Sequence, residues 1–131
     1  MIFLDSTYLI GLILKRDTFT KRSIELEPYL DGESKLINNT VFNEVFNSVT
    51  SNNLRYNLEE IKSLLLSYNV DILTFDDYLD AMKIFKHYNF SINFSDCTIL
   101  KTMQDNNINK IVSFDSDFDK IKGIDRVFFS D

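Results

Sequence analysis

The first ten residues, MIFLDSTYLI (Met1–Ile10), decide how the rest of the chain is read. Ile2-Phe3-Leu4 is a short apolar run closed by Asp5, the pattern of a buried strand ending in a polar residue. From Thr7 to Leu14 the apolar residues Tyr8, Leu9, Leu12 and Ile13 recur at helical spacing, with Ser6 or Thr7 placed to cap them. A strand that runs straight into a helix, with a carboxylate at the junction, is how an α/β unit begins.

The same alternation continues outward. Lys15–Arg22 holds four basic residues and reads as a surface loop entering a second helix, which ends near Asp31-Gly32 with Pro28 limiting it. Lys35–Asn38 is a second strand. Thr40 starts a helix with apolar positions Val41, Val45, Phe46 and Val49, and Asn57–Tyr68 is an amphipathic helix with Leu58, Ile61, Leu64 and Leu65 on one face. Val70–Leu73 is a third strand, and Asp76 or Asp77 caps a helix running to about His87. After a loop at Asn89–Phe94, Ser95 caps a helix from Asp96 to about Gln104. Lys110–Ser113 is a fourth strand, Asp117–Ile121 a short helical turn and Arg126–Phe129 a terminal strand. Strands separated by one or two helices predict a three-layer α/β/α domain with a mostly parallel central sheet of four to five strands.

Composition agrees. The chain has 131 residues, the size of one domain over 1–131, and 44% of them are hydrophobic, enough for a continuous core. With only 3 Gly and 1 Pro, a loop-rich all-β protein is disfavoured. One Cys and one His can build neither an internal disulfide nor a zinc cluster. No basic leader precedes an apolar segment, and no apolar run is long enough to span a bilayer, so the expectation is a cytoplasmic protein with no membrane association. The net charge of −6 counts against simple nucleic-acid binding, which rests on cations meeting phosphates. It counts less where carboxylates gather to hold a divalent cation that inverts the local charge.

The acids are placed for such a site. Parallel sheets gather ligands at the carboxyl ends of their strands. Asp5 follows the first strand, Asp115 follows the fourth, Asp96 opens a helix, and Glu44 lies one turn into the helix that begins at Thr40. Four oxygen donors from distant parts of the chain would suit Mg²⁺ or Mn²⁺. Each residue also has an ordinary reading. Asp5 suits a helix N-cap, Asp96 suits the positive end of a helix dipole, Glu44 suits a solvated helix face, and Asp115, Asp117 and Asp119 suit an acidic turn. Likewise, His87 reads as a residue at a helix end, Cys97 as a small buried thiol, and Phe42, Phe46, Phe85 and Phe90 as core or dimer contacts.

Order and context separate these readings. IFLDSTYLI, NTVFNEV, FSDCTIL and IVSFDSDF occur in that order, and together the chain resembles the PIN-domain family, especially its VapC-type ribonuclease toxins. The resemblance runs from Ile2 to Phe118. The family's opening acid with following hydroxyls is matched by Asp5-Ser6-Thr7, its helical Glu after a Ser or Thr by Thr40 and Glu44, its third acid by Asp96-Cys97-Thr98-Ile99, and its last motif by Ser113-Phe114-Asp115-Ser116-Asp117-Phe118. Cys97 stands where Ala is usual and Ser113 where Thr is usual; neither removes a carboxylate.

The resemblance implies a metal-dependent endoribonuclease. Asp5 and Asp96 would be the most direct ligands of Mg²⁺ or Mn²⁺, with Glu44 and Asp115 completing the site and Asp117 beside it. Thr7 and Ser113 would orient ligands or touch the scissile phosphate, and Lys15 and Arg16 would contact RNA. It further implies a homodimer and a cognate antitoxin. Rival readings are an RNA-processing PIN nuclease without antitoxin, a non-catalytic PIN scaffold, and a receiver-like phosphoacceptor domain, which Asp5 disfavours by standing alone at its strand end.

Overall fold

The computed structural model describes residues 1–14, 18–50 and 58–129, with the backbone alone at 49 and 50. Lys15, Arg16, Asn57 and the side chain of Val49 lie outside the described residues. In chain order the elements are β1 (Ile2–Leu4), α1 (Ser6–Ile13), α2 (Thr20–Tyr29), β2 (Lys35–Asn38), α3 (Asn39–Thr50), α4 (Leu58–Leu66), β3 (Asn69–Asp71), α5 (Phe75–His87), α6 (Phe94–Asp105), β4 (Lys110–Val112), a 3-10 turn (Ser116–Lys120) and β5 (Asp125–Val127).

Among the described residues the sheet has five strands in the order β3-β2-β1-β4-β5, and every pairing is parallel. The chain steps outward from β1 through β2 to β3, then returns to the other side of β1 for β4 and β5. Right-handed crossovers therefore set α1–α4 on one face and α5 and α6 on the other. Most helix contacts follow this division, with α1 packed on α2 and α3, and α5 packed on α6, while α3 meets α6 across it. The order also removes the receiver-like reading, because that fold places β3 next to β1, whereas here β1 lies between β2 and β4.

The central strands are apolar because helices cover both of their faces. Phe3, Leu4, Ile37, Ile111 and Val112 are fully buried, joined by Leu9 from α1, Val41 and Val45 from α3, and Ile99 and Met103 from α6. Burying each such side chain contributes about 1.5–3 kcal/mol. Helices α1 and α2 approach closely at Gly11. A Cβ there would collide with Ser23 Oγ, which donates to the Tyr8 carbonyl at 2.9 Å.

Two caps differ from expectation, and a third settles between alternatives. Helix α1 takes Asp5 rather than Ser6 or Thr7 at its N-cap position, as one reading of Asp5 had it, but without a side-chain capping bond among the described residues. Helix α5 is capped by Thr74 in a reciprocal box with Asp77. There Asp77 occupies the third helical position, where its carboxylate bonds back to the Thr74 amide. Helix α6 begins after Asn93, which puts Ser95 inside the first turn, its carbonyl accepting from Thr98 Oγ1 at 2.6 Å. The loop before α6 is tighter than expected, with positive φ at Asn89 and Phe90.

Candidate metal centre

The chain reverses direction across the sheet between β1 and β4. At such a switch point the loops leaving the two strands diverge and open a crevice at their carboxyl ends. Asp5 leaves β1 into this crevice, and Ser113-Phe114-Asp115 leaves β4 into it. Helix α6 brings Asp96 in its first turn, and α3 brings Glu44.

Asp5 is 4% exposed, and two hydroxyls converge on its Oδ2: Ser113 Oγ donates at 2.7 Å and Thr7 Oγ1 at 2.8 Å. Each hydroxyl also accepts a backbone amide, Thr7 from Phe114 at 3.0 Å and Ser113 from Asp115 at 3.0 Å. Both side chains thus give their one proton to Asp5 and tie the β4 exit to the β1 exit. In this arrangement they orient a carboxylate and have no proton left for a phosphate. Burial raises the Asp5 pKa, the two hydroxyls and the Ser6 amide pull it back, and the Asp115 charge adds to the rise.

Asp96 is 7% exposed. Burial first, then the charges of Asp5, Asp115, Glu44 and Asp117, push its pKa up to about 7. Glu44 is also pushed up to about 7, by burial and then by Asp5 and Asp115. Among the described residues, buried oxygens on both, Glu44 Oε1 and Asp96 Oδ2, have no hydrogen-bond partner. Buried polar atoms are normally satisfied, so two such carboxylate oxygens in one acidic crevice fit a divalent cation as their partner. Asp96, Asp115 and Asp117 each offer an oxygen within 4.8 Å of the others, the spacing and chemistry that hard divalent ions accept.

All the acids expected from sequence therefore meet at one edge, with two modes of involvement. Asp96, Asp115 and Asp117 form the close oxygen group, while Asp5 and Glu44 adjoin it electrostatically. Asp115 also caps the 3-10 turn, its Oδ1 accepting from the Asp117 amide at 2.9 Å. Asp119 is half-exposed and bonded to Arg126. Phe118 turns inward and is buried.

Sequence reading missed the struts between α3 and α6. Asn38, fully buried at the end of β2, donates from Nδ2 to Thr102 Oγ1 at 3.0 Å and accepts the Val41 amide on Oδ1 at 3.2 Å. The Thr40 and Thr98 hydroxyls lie 2.7 Å apart. These bonds fix the helix carrying Glu44 against the helix carrying Asp96. A polar residue ending an apolar strand, Lys35-Leu36-Ile37-Asn38, was the available signal.

A model of the PIN domain matches residues 2–124. No curated protein sequence matches the chain. Among solved structures, the chain is similar to Mycobacterium tuberculosis VapC20, described as a toxin that cleaves the Sarcin-Ricin loop. The TM-score is 0.80 at 20% identity, over 92% of this chain and 94% of that one. It is also similar to a chain of a toxin-antitoxin complex from Klebsiella pneumoniae, with a TM-score of 0.72 at 19% identity over 95% and 96%. A third match is to VapBC2 from Rickettsia felis bound to a DNA fragment from its promoter, with a TM-score of 0.67 at 17% identity over 97% and 98%. At these identities the likeness establishes the fold.

Proposed function

Because this chain belongs to the PIN-domain family, we propose that it is a metal-dependent endoribonuclease acting as the toxin of a toxin–antitoxin pair. The observation that carries the reading is the pair of buried, unpartnered oxygens on Glu44 and Asp96 inside the acidic crevice. We assign Asp5, Glu44, Asp96 and Asp115 to the Mg²⁺ or Mn²⁺ site, with Asp117 joining Asp96 and Asp115 in its close oxygen group. Bound there, the cation supplies a Lewis acid for the scissile phosphate and lowers the pKa of the attacking water.

The chain's own residues prepare that site. Thr7 and Ser113 fix the Asp5 carboxylate by donating to one of its oxygens, so it faces the crevice without reorganising. The Asn38 and Thr40–Thr98 struts hold the helix carrying Glu44 against the helix carrying Asp96. Burial and neighbouring charges push Glu44 and Asp96 up to about 7, so a cation binding near neutral pH would release protons from them. Lys15 and Arg16 are candidates for RNA phosphate contacts on their charge alone.

The partners follow from the same reading. Two of the structural neighbours are toxin–antitoxin assemblies, and an acidic crevice suits an antitoxin segment bearing Arg or Lys. Self-association is supported by α5, where Phe75, Leu79 and Met82 lie exposed on one helical face beside exposed Ile72. Among the described residues no helix is long and apolar enough to cross a membrane; a cytoplasmic location and a single domain over 1–131 belong to the proposal.

Expression in a host cell tests it. The wild-type chain is expected to arrest growth, Asp96→Asn to relieve the arrest at equal protein level, and RNA from arrested cells to carry new internal ends. Equal growth with both chains, or intact RNA, contradicts the reading.

A further inference from the structure

Two cations meet the turn that carries two of the acids: Lys120, at its end, pairs with Asp117 Oδ1 at 3.1 Å from an exposed position, and Arg126 grips it from β5. Arg126, on β5, has a side chain only 10% exposed. Its guanidinium forks onto Asp119, Nε donating to Oδ1 and Nη2 to Oδ2, both at 2.9 Å. Nη1 donates to the Ser113 carbonyl at 3.3 Å, and the Phe128 ring covers the guanidinium plane at 4.0 Å.

These anchors bracket the acids. Ser113 precedes Asp115 by two residues, and Asp119 follows Asp117 by two. Between them the segment is held by the Asp117 amide on Asp115 Oδ1 and a long bond of 3.4 Å from the Phe118 amide to the Asp115 carbonyl. A planar fork tolerates little rotation, so a guanidinium gripping both ends restrains the turn in a way a lysine cannot.

We propose that Arg126 is a positioning residue for the metal centre, clamping the 113–119 turn at Ser113 and Asp119 so that Asp115 and Asp117 are held beside Asp96. This rests on the metal-centre reading above. The clamp and a plain field effect differ in what they demand. As a charge alone, Arg126 opposes a nearby cation, and replacing it with Lys would leave metal affinity unchanged. As a clamp, it favours metal binding through geometry, and Lys would weaken it.

The test is Mn²⁺ binding to the full-length protein by titration calorimetry, with circular dichroism confirming that each variant is folded at the temperature used. Arg126→Lys is expected to weaken Mn²⁺ binding roughly 10-fold, the low end for loss of a residue that supports metal ligands. Asp119→Asn alters a half-exposed side chain and serves if Arg126→Lys does not fold. It should weaken binding similarly, and equally at low and high salt, because lost positioning is not screened whereas a lost field is. Affinities within about two-fold of wild type in the folded variants, a range well short of a lost support, overturn the clamp, whatever the melting temperatures. So does an Asp119→Asn deficit that disappears in high salt. If folded wild-type protein binds no Mn²⁺, the metal centre itself falls and the clamp with it, an outcome distinct from variants that bind as wild type does.

Discussion

Asp96→Asn should stabilise the metal-free protein at alkaline pH while removing its activity. The carboxyl is displaced from 3.8 to about 7 by burial and by four neighbouring acids. At full value that displacement opposes folding by about 4 kcal/mol once the group is ionised, at about 1.36 kcal/mol per pKa unit. Burying the Asn amide in its place offsets part of the gain from removing that charge. The net stabilisation is about 2 kcal/mol, or roughly 5–8 °C in Tm for a domain of this size.

The pH window follows from the sign. The native carboxyl holds its proton more tightly than the unfolded one, so the penalty is absent below the unfolded pKa. It grows as pH rises toward 7 and is complete above it. Thermal and urea denaturation followed by circular dichroism in EDTA at pH 5 and pH 8 measure it. The variant should be the more stable at pH 8, with the gap shrinking to less than half at pH 5. Saturating Mn²⁺ should reverse the order by stabilising wild type alone. A variant less stable than wild type at pH 8 in EDTA, or a gap equal at both pH values, would refute the repulsion argument.

Three further outcomes are expected. Asn38→Ala leaves the buried Thr102 hydroxyl and the Val41 amide without Asn38, so urea denaturation should show a loss of about 2–4 kcal/mol; a loss below about 0.5 kcal/mol, less than one ordinary hydrogen bond, would mean that the strut is idle. Ser113→Ala removes a donor to Asp5 and the acceptor of the Asp115 amide. RNA cleavage should fall about 10–100-fold, and its pH profile should move to higher pH because Asp5 then holds its proton more strongly. Gly11→Ala forces Ser23 away from the Tyr8 carbonyl and should lower stability by about 1–3 kcal/mol, read as a shift in the urea midpoint.

The three central strands were legible because each holds a short apolar run. The edge strands Asn69–Asp71 and Asp125–Val127 have one apolar residue each and begin one residue before the expected Val70 and Arg126. Asp5, Asp115 and Asp96 were legible because each follows a strand or opens a helix. Helix starts were less so. Thr74-Phe75-Asp76-Asp77 contains both a capping Thr and a third-position Asp, and only the reciprocal pairing decides between them. Ser95 and Asn93 are both good caps, and the choice depends on how the loop turns at Asn89 and Phe90. Asp5 is the instructive case. It stands at an N-cap position, but the hydroxyl of Ser113, just after β4, and one from its own helix take up its oxygen, so long-range contact overrides the local role. Arg126 and Asp119 lie seven residues apart across a turn, a pairing that no helical or strand periodicity reveals.

Action of the crevice acids on RNA through a divalent cation is measured most directly by single-turnover cleavage of an end-labelled RNA by purified protein across a Mn²⁺ titration, for wild type and Asp96→Asn in parallel. We expect saturable, metal-dependent cleavage by wild type, none in EDTA, and a rate at least about 100-fold lower in a folded Asp96→Asn at every metal concentration. Cleavage that persists in EDTA, or an Asp96→Asn rate equal to wild type, would contradict it.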